Sequence, residues 1–190
     1  MRPINLKKLI IAIAIPELVG FLSAVITGNI GDTYKSFEQP PLSPPGIIFP
    51  IVWVILYGLM GVASYIIFEE RKASEEKQKQ ALTFYGIQLA VNFIWPILFF
   101  KFEAYTLSVF VIIILLVLVI ITALKFKEIN TVAFWLMVPY IIWLLFATYL
   151  NIGVAVMNRK KKNLFARALP CVLVISHVEN AKRPPNGSYF

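Results

Sequence analysis

The stretch AYTLSVFVIIILLVLVIITAL, residues 104–124, decides the fold class. It carries no charge, and apolar side chains occur on every face of any helix drawn through it. A helix crossing the hydrocarbon core of a bilayer needs about 20 such residues. A soluble surface helix shows a polar face instead, and a barrel strand alternates polar and apolar side chains. Neither pattern is present, so the segment reads as a transmembrane helix.

Four further segments meet the same requirement: Leu9–Asn29, Ile47–Phe68, Ala81–Phe100 and Thr131–Met157, with the quoted stretch as the fourth span, Ala104–Leu124. Composition agrees. The 190 residues are 59% hydrophobic and 15% charged, with a mean hydropathy of +0.77. A soluble domain is about 45–50% apolar and about 25% charged. The fold class is therefore all-α: an integral membrane bundle of five transmembrane helices over residues 1–158, followed by a basic, poorly ordered tail over 159–190. The first span follows Arg2, Lys7 and Lys8 as a signal peptide would. Its apolar run continues past Glu17 without a small-residue cleavage site, so it is expected to be retained.

The connections set the topology. Residues 31–46 form a long link holding Pro40, Pro41, Pro44, Pro45 and Gly46. Glu69–Lys79 is short and highly charged, Lys101–Glu103 is a tight hairpin, and Lys125–Asn130 is a polar turn. Spans two to five are thus antiparallel neighbours. Basic residues number nine on each side when the tail is counted; without it, nine to two favours a cytoplasmic N-terminus. The net charge of +8 sits at helix flanks and in the tail. The expected partner is anionic lipid in the bilayer rather than nucleic acid.

Polar groups inside the spans need reasons. Glu17 lies near mid-span, where a carboxylate is costly. It is either a neutral acid hydrogen-bonded to a neighbouring helix or a proton-relay or ligand-anchoring group. Pro16 frees a carbonyl one turn earlier. Gln88, Asn92 and Trp95 share one face of the third span; they serve interhelical hydrogen bonds or the polar side of a cavity. Trp53, Tyr57 and Gly61 form a stripe on the second span, and Trp143, Ala147 and Asn151 one on the fifth. Trp143 is too deep for an interfacial aromatic belt. Gly86 and Ala90 form a small-xxx-small pair on the third span, suited to a homodimer contact. Cys171 and His177, the single cysteine and histidine, lie in the tail. The spans therefore offer no zinc site and no Cys/His nucleophile pair.

Several motifs occur in a fixed order. The first connection ends SPPG, residues 43–46. FPIVWVILYGLMGVASY follows at 49–65, NFIWPILFF at 92–100, and PYIIWLLFATYLN at 139–151. Over about residues 14–158 the chain resembles the tryptophan-rich sensory protein family (TspO/MBR), which includes the translocator protein, or peripheral benzodiazepine receptor. The resemblance implies a five-helix bundle, often dimeric, that binds porphyrins and other hydrophobic ligands in a cavity capped by the first connection. It implies a receptor or sensor for a protoporphyrin IX-like tetrapyrrole, with the cavity between spans two, three and five. The alternatives it carries are light-dependent porphyrin breakdown and tetrapyrrole or sterol transport. By resemblance Trp53, Asn92, Trp95, Trp143 and Ala147 are cavity positions and Tyr34 lies near its mouth; Tyr57 joins the ligand contacts through its stripe with Trp53. No metal ligand and no required cofactor is expected.

The chain departs from the family in three places. Thr33 and Leu42 stand where many members have tryptophan. Tyr149 has no Lys or Arg within five residues downstream, so the sterol pattern is unmet. Residues 159–190 look foreign to the family. Without inverted repeats, and with Glu17 as the ionisable mid-span group, ion-coupled transport is disfavoured. No acid/base pair or nucleophile supports ordinary catalysis.

Overall fold

A computed structural model describes the backbone of residues 4–181 and the side chains of residues 4–158. The expectation of a poorly ordered tail at 159–190, with Cys171 and His177, falls outside the residues whose side chains are described. Among the described residues there are six α-helices: α1 Leu6–Thr27, α2 Ile30–Ser36, α3 Ile48–Glu69, α4 Glu75–Pro96, α5 Tyr105–Ile129 and α6 Thr131–Ala181. A π-helical turn, Ile97–Lys101, prolongs α4. Five helices are long and apolar enough to cross a membrane: α1, α3, α4 with its π turn, α5, and α6 as far as Asn158. The protein is a multi-pass integral membrane bundle, as the apolar runs predict.

The helix ends differ from the sequence reading for local reasons. α4 starts at Glu75, six residues before the apolar run. The Ser74 side chain accepts from the Lys77 amide, and Glu75 and Glu76 sit in the first turn, where carboxylates favour the helix dipole. α5 runs through the polar segment to Ile129, leaving Asn130 alone between α5 and α6. The Asn130 side chain accepts from the Val132 and Ala133 amides and so starts α6. The long connection contains α2.

Around the bundle α1 neighbours α3, α3 neighbours α6, then come α5 and α4, and α4 closes on α1. At one end lie Lys8, paired with Glu69 at 2.6 Å, and Asn130, donating to Glu70 at 3.3 Å. At the other lies the α2 connection. There Lys101 donates to the Ile26 carbonyl at the end of α1, at 2.9 Å. Lys8, Lys125 and Lys127 each rest over a phenylalanine ring, Phe68, Phe84 and Phe134, at 5.1–5.3 Å. Trp135, beside Phe134, is 62% exposed. This is the aromatic and lysine border that a membrane interface favours. Gly86 and Ala90 face outward from α4, and nothing lies within 4 Å of a Cβ added at Gly86.

Candidate ligand-binding site

Three helices meet at a buried polar layer. Tyr57 of α3 donates to Asn92 Oδ1 of α4 at 2.7 Å, and Asn92 Nδ2 donates to Tyr140 Oη of α6 at 2.7 Å. Tyr140 donates to Gln88 Oε1 at 3.3 Å, and Gln88 Nε2 faces Met60 Sδ at 3.8 Å. Each proton is used once, so the chain of bonds has one direction. Its side chains are nearly or wholly buried. A group left unpaired at this depth would cost about 1–3 kcal/mol, so the layer pins α3, α4 and α6 at one height.

Height then follows from helix rise. Trp95 lies three residues beyond Asn92, and Trp143 three beyond Tyr140, both toward the α2 end. At 1.5 Å per residue each is raised by about 4.5 Å. α3 runs the opposite way, so Trp53, four residues before Tyr57, rises toward the same end. Its ring stacks on Tyr57 at 5.3 Å and meets Tyr140 edge-on at 6.0 Å. The amide layer is thus a floor, with three indoles above it. Gln88 and Asn92 serve interhelical bonds; Trp95, on the same face, leaves them and stacks on Phe99 at 5.3 Å.

The roof is aromatic. Phe49, at the start of α3, meets Trp143 edge-on at 5.8 Å and Tyr34 of α2 at 5.2 Å. Tyr34 donates to the Pro44 carbonyl at 2.6 Å, and partial burial pushes its phenol above the ordinary value. Phe37 enters the bundle between Phe99 and Tyr105, at 5.7 and 5.9 Å. The segment that follows is fastened to α6. Asn158 Oδ1 accepts from the Glu38 amide and Asn158 Nδ2 donates to the Glu38 carbonyl, both at 3.0 Å. Tyr149 donates to the Pro41 carbonyl at 2.9 Å. Pro40 packs on Gly153, where a Cβ would come within 2.6 Å of it. Leu42 sits at the tip with φ of 66° and 82% exposure, turned away from the indoles.

Among the described residues, four buried polar atoms have no partner: Tyr85 Oη, Trp95 Nε1, Trp143 Nε1 and Asn151 Nδ2. The Asn151 case resolves by a half-turn of its amide. Ser108 gives its proton to the Tyr105 carbonyl at 2.7 Å, so its oxygen can accept from Asn151 Nδ2 across the same 3.1 Å contact. An indole has one donor and no acceptor, so no such rearrangement helps Trp95 and Trp143. Both belong to the level above the floor. Trp143 also walls an open apolar groove of about 380 Å³ between α3 and α6, lined further by Val52, Ile55, Leu56, Leu59, Pro139 and Ile142.

Of the residues singled out from sequence, Tyr34 and Trp143 are joined through Phe49, and Trp53, Tyr57 and Asn92 through Tyr140. Trp95 stands at the same level on another ring stack. Ala147 is buried one turn above Trp143. Phe37, Phe49 and Tyr140 pack among these residues and were not among the expected contacts. Tyr140 had a sequence signal in its place three residues before Trp143.

Known proteins resemble this chain in sequence. The TspO/MBR family profile matches residues 12–157. The chain is 33% identical over 155 residues to the tryptophan-rich protein TspO of Archaeoglobus fulgidus, covering 81% of this chain and 99% of that protein. It is 34% identical over 138 residues to the translocator protein of Bos taurus, covering 72% of this chain and 82% of that protein. With the tryptophan-rich sensory protein of Cereibacter sphaeroides identity is 36% over 118 residues, 62% of this chain and 72% of that protein. Five spans, one long first connection and a match over most of the chain lead to one conclusion: this protein belongs to the TspO/MBR family.

Proposed function

We propose that the protein is a membrane receptor or sensor for a flat hydrophobic ligand of the porphyrin class, held above the Tyr57–Asn92–Tyr140 floor and beneath the α2 connection. The observation that carries this reading is the pair of indole donors, Trp95 Nε1 and Trp143 Nε1, buried at one level with no acceptor. A ligand with carboxylate or carbonyl oxygens supplies what these donors lack, and its apolar plane suits the faces of Trp53 and Trp143. The family resemblance supports the porphyrin class. The spans contain no histidine or cysteine, so metal-free porphyrin fits better than haem, whose iron would have tyrosine alone among its usual strong ligands.

The test is a titration of the purified protein with protoporphyrin IX, followed by the porphyrin's own absorbance. Trp143→Phe is expected to weaken binding about tenfold, the size of one lost hydrogen bond and part of a stack. Trp135→Phe, altered on the outer face, is expected to leave it unchanged. Equal affinity in Trp143→Phe and the unaltered protein removes Trp143 from the site.

A further inference from the structure

α1 and α3 meet along a seam shaped by glycines, and Glu17 stands in the middle of it. At Gly61 the two backbones touch: an added Cβ would lie 2.5 Å from Ile13 Cα and 2.7 Å from the Ala12 carbonyl oxygen. That carbonyl is the one Pro16 leaves without its helical donor. At Gly20 the missing side chain belongs to α1, and the ring of Tyr57 fills its place. Between these tight contacts Gly58 faces Glu17. The nearest atom to a Cβ added there is Glu17 Oε1, at 3.9 Å. The seam is tight above and below the carboxyl group and looser beside it, where the Gly58 contact is an ordinary one.

Glu17 is the twelfth of the 22 residues of α1, so it lies about 16 Å from either end of a helix about 33 Å long. Its side chain is partly buried, with the remainder facing outward. Among the described residues it makes no hydrogen bond and no ion pair. Cations lie only near the ends of α1 among the described residues, with Lys8 paired with Glu69 at one end and Lys101 donating to the Ile26 carbonyl at the other. An ionisable group at mid-bilayer depth calls for a partner. None is present among the described residues of these helices, so a cation entering from the bilayer would meet the carboxyl group unpaired, at the looser stretch of the seam beside Gly58.

We propose that Glu17 and the Gly58 gap form a lateral site for the ammonium group of a lipophilic amine, entered from the bilayer and separate from the chamber under the α2 connection. The carboxylate pairs with the ammonium, and the amine's apolar body lies along the outer surface of α1 and α3. Ile10, Phe21 and Ile51 are exposed apolar side chains on those two helices. The inference does not rest on porphyrin binding; Tyr57 is the residue the two places share.

The test uses the full chain in nanodiscs of zwitterionic lipid and the probe N-dansylcadaverine, with binding read as energy transfer from tryptophan to dansyl. Saturable transfer is expected, and Glu17→Gln is expected to lower the affinity at least tenfold. The uncharged counterpart, in which a hydroxyl replaces the terminal amine, is expected to bind the unaltered protein at least tenfold more weakly. Gly58→Leu keeps the carboxylate and fills the gap, and is expected to abolish the saturable signal. The unfolding temperature of each variant checks that the bundle is intact; if Glu17→Gln fails to fold, Gly58→Leu and the hydroxyl probe decide. Unaltered affinity in Glu17→Gln or Gly58→Leu, equal binding of the hydroxyl probe, or no saturable signal above empty nanodiscs overturns the proposal.

Discussion

Below the Tyr57–Asn92–Tyr140 layer the bundle is tightly packed, with the Tyr85 hydroxyl as its one unpartnered buried polar atom among the described residues; above it two indole donors are unpaired. In the lower half Ala63, Ile67, Ala81, Ala123, Phe126 and Ala133 are all at 0% exposure. Small residues alternate with large ones, and the helices come close. Lipid tails are as apolar as leucine, so close packing and hydrogen bonds are what hold such helices together. The upper half is filled with rings. Phe37, Phe49, Trp53, Trp95, Phe99 and Trp143 meet mostly edge-on, and two of the indoles keep free N–H groups. Tyr85 apart, the lower half resembles a finished core; the upper half is where the ligand we propose would supply what the indole donors lack. On that reading, stability and recognition fall at different depths of the same helices.

Two glycines sharpen this contrast, because nearly the same overlap has different neighbours. At Gly61 a Cβ would strike the α1 backbone at 2.5 Å, and a helix held along its whole length cannot step aside. Gly61→Ala is expected to lower stability by about 1–3 kcal/mol or more, read as a fall in unfolding temperature in detergent. An unchanged temperature would mean that α1 is free to slide, and the lower half would lose its status as a closed core. At Gly153 a Cβ would strike Pro40 at 2.6 Å, and Pro40 sits on a connection. Gly153→Ala is expected to change stability by less than about 1 kcal/mol. It is expected to speed proteolysis within residues 31–46 and to quicken porphyrin release several-fold. Slow release with unchanged proteolysis would detach the connection from ligand retention. The smallest effect belongs to Lys8→Ala at the charged end. Its pair with Glu69 is largely exposed and contributes below about 1 kcal/mol, a difference that disappears at high salt. Porphyrin affinity is expected to stay the same.

Much of the architecture was legible because bilayer thickness imposes a length. An uncharged run such as 104–124 has no competing interpretation, and turn-rich or charged links separate it from its neighbours. What escaped was decided by short polar signals or by tertiary contact. The charged start of α4 was hidden by its own glutamates, although Ser74 followed by Glu75 and Glu76 is a recognisable helix start. α2 and the π turn at Ile97–Lys101 are too short to announce themselves by periodicity. In the site, the stripes of Trp53, Tyr57, Asn92 and Trp143 could be read from helical spacing. Phe37 and Phe49 could not, because each depends on how the first connection folds back over the bundle. The separation of Trp95 from Asn92 also needed the structure: one face of a helix can serve two neighbours, and spacing alone does not say where the division falls.

Tyr57 is where the two depths and the seam touch. One ring lies under Trp53, fills the notch at Gly20 of α1 and holds Asn92 through its hydroxyl. Touching both sides, it is placed so that a displacement imposed from the indole side would press on the helix that carries Glu17, and the reverse. Thermodynamics makes such an exchange even-handed: whatever factor an occupant above Trp53 imposes on affinity at the seam, an occupant of the seam imposes on the chamber. A side chain that looks like packing is, in this position, the place where two messages would have to agree.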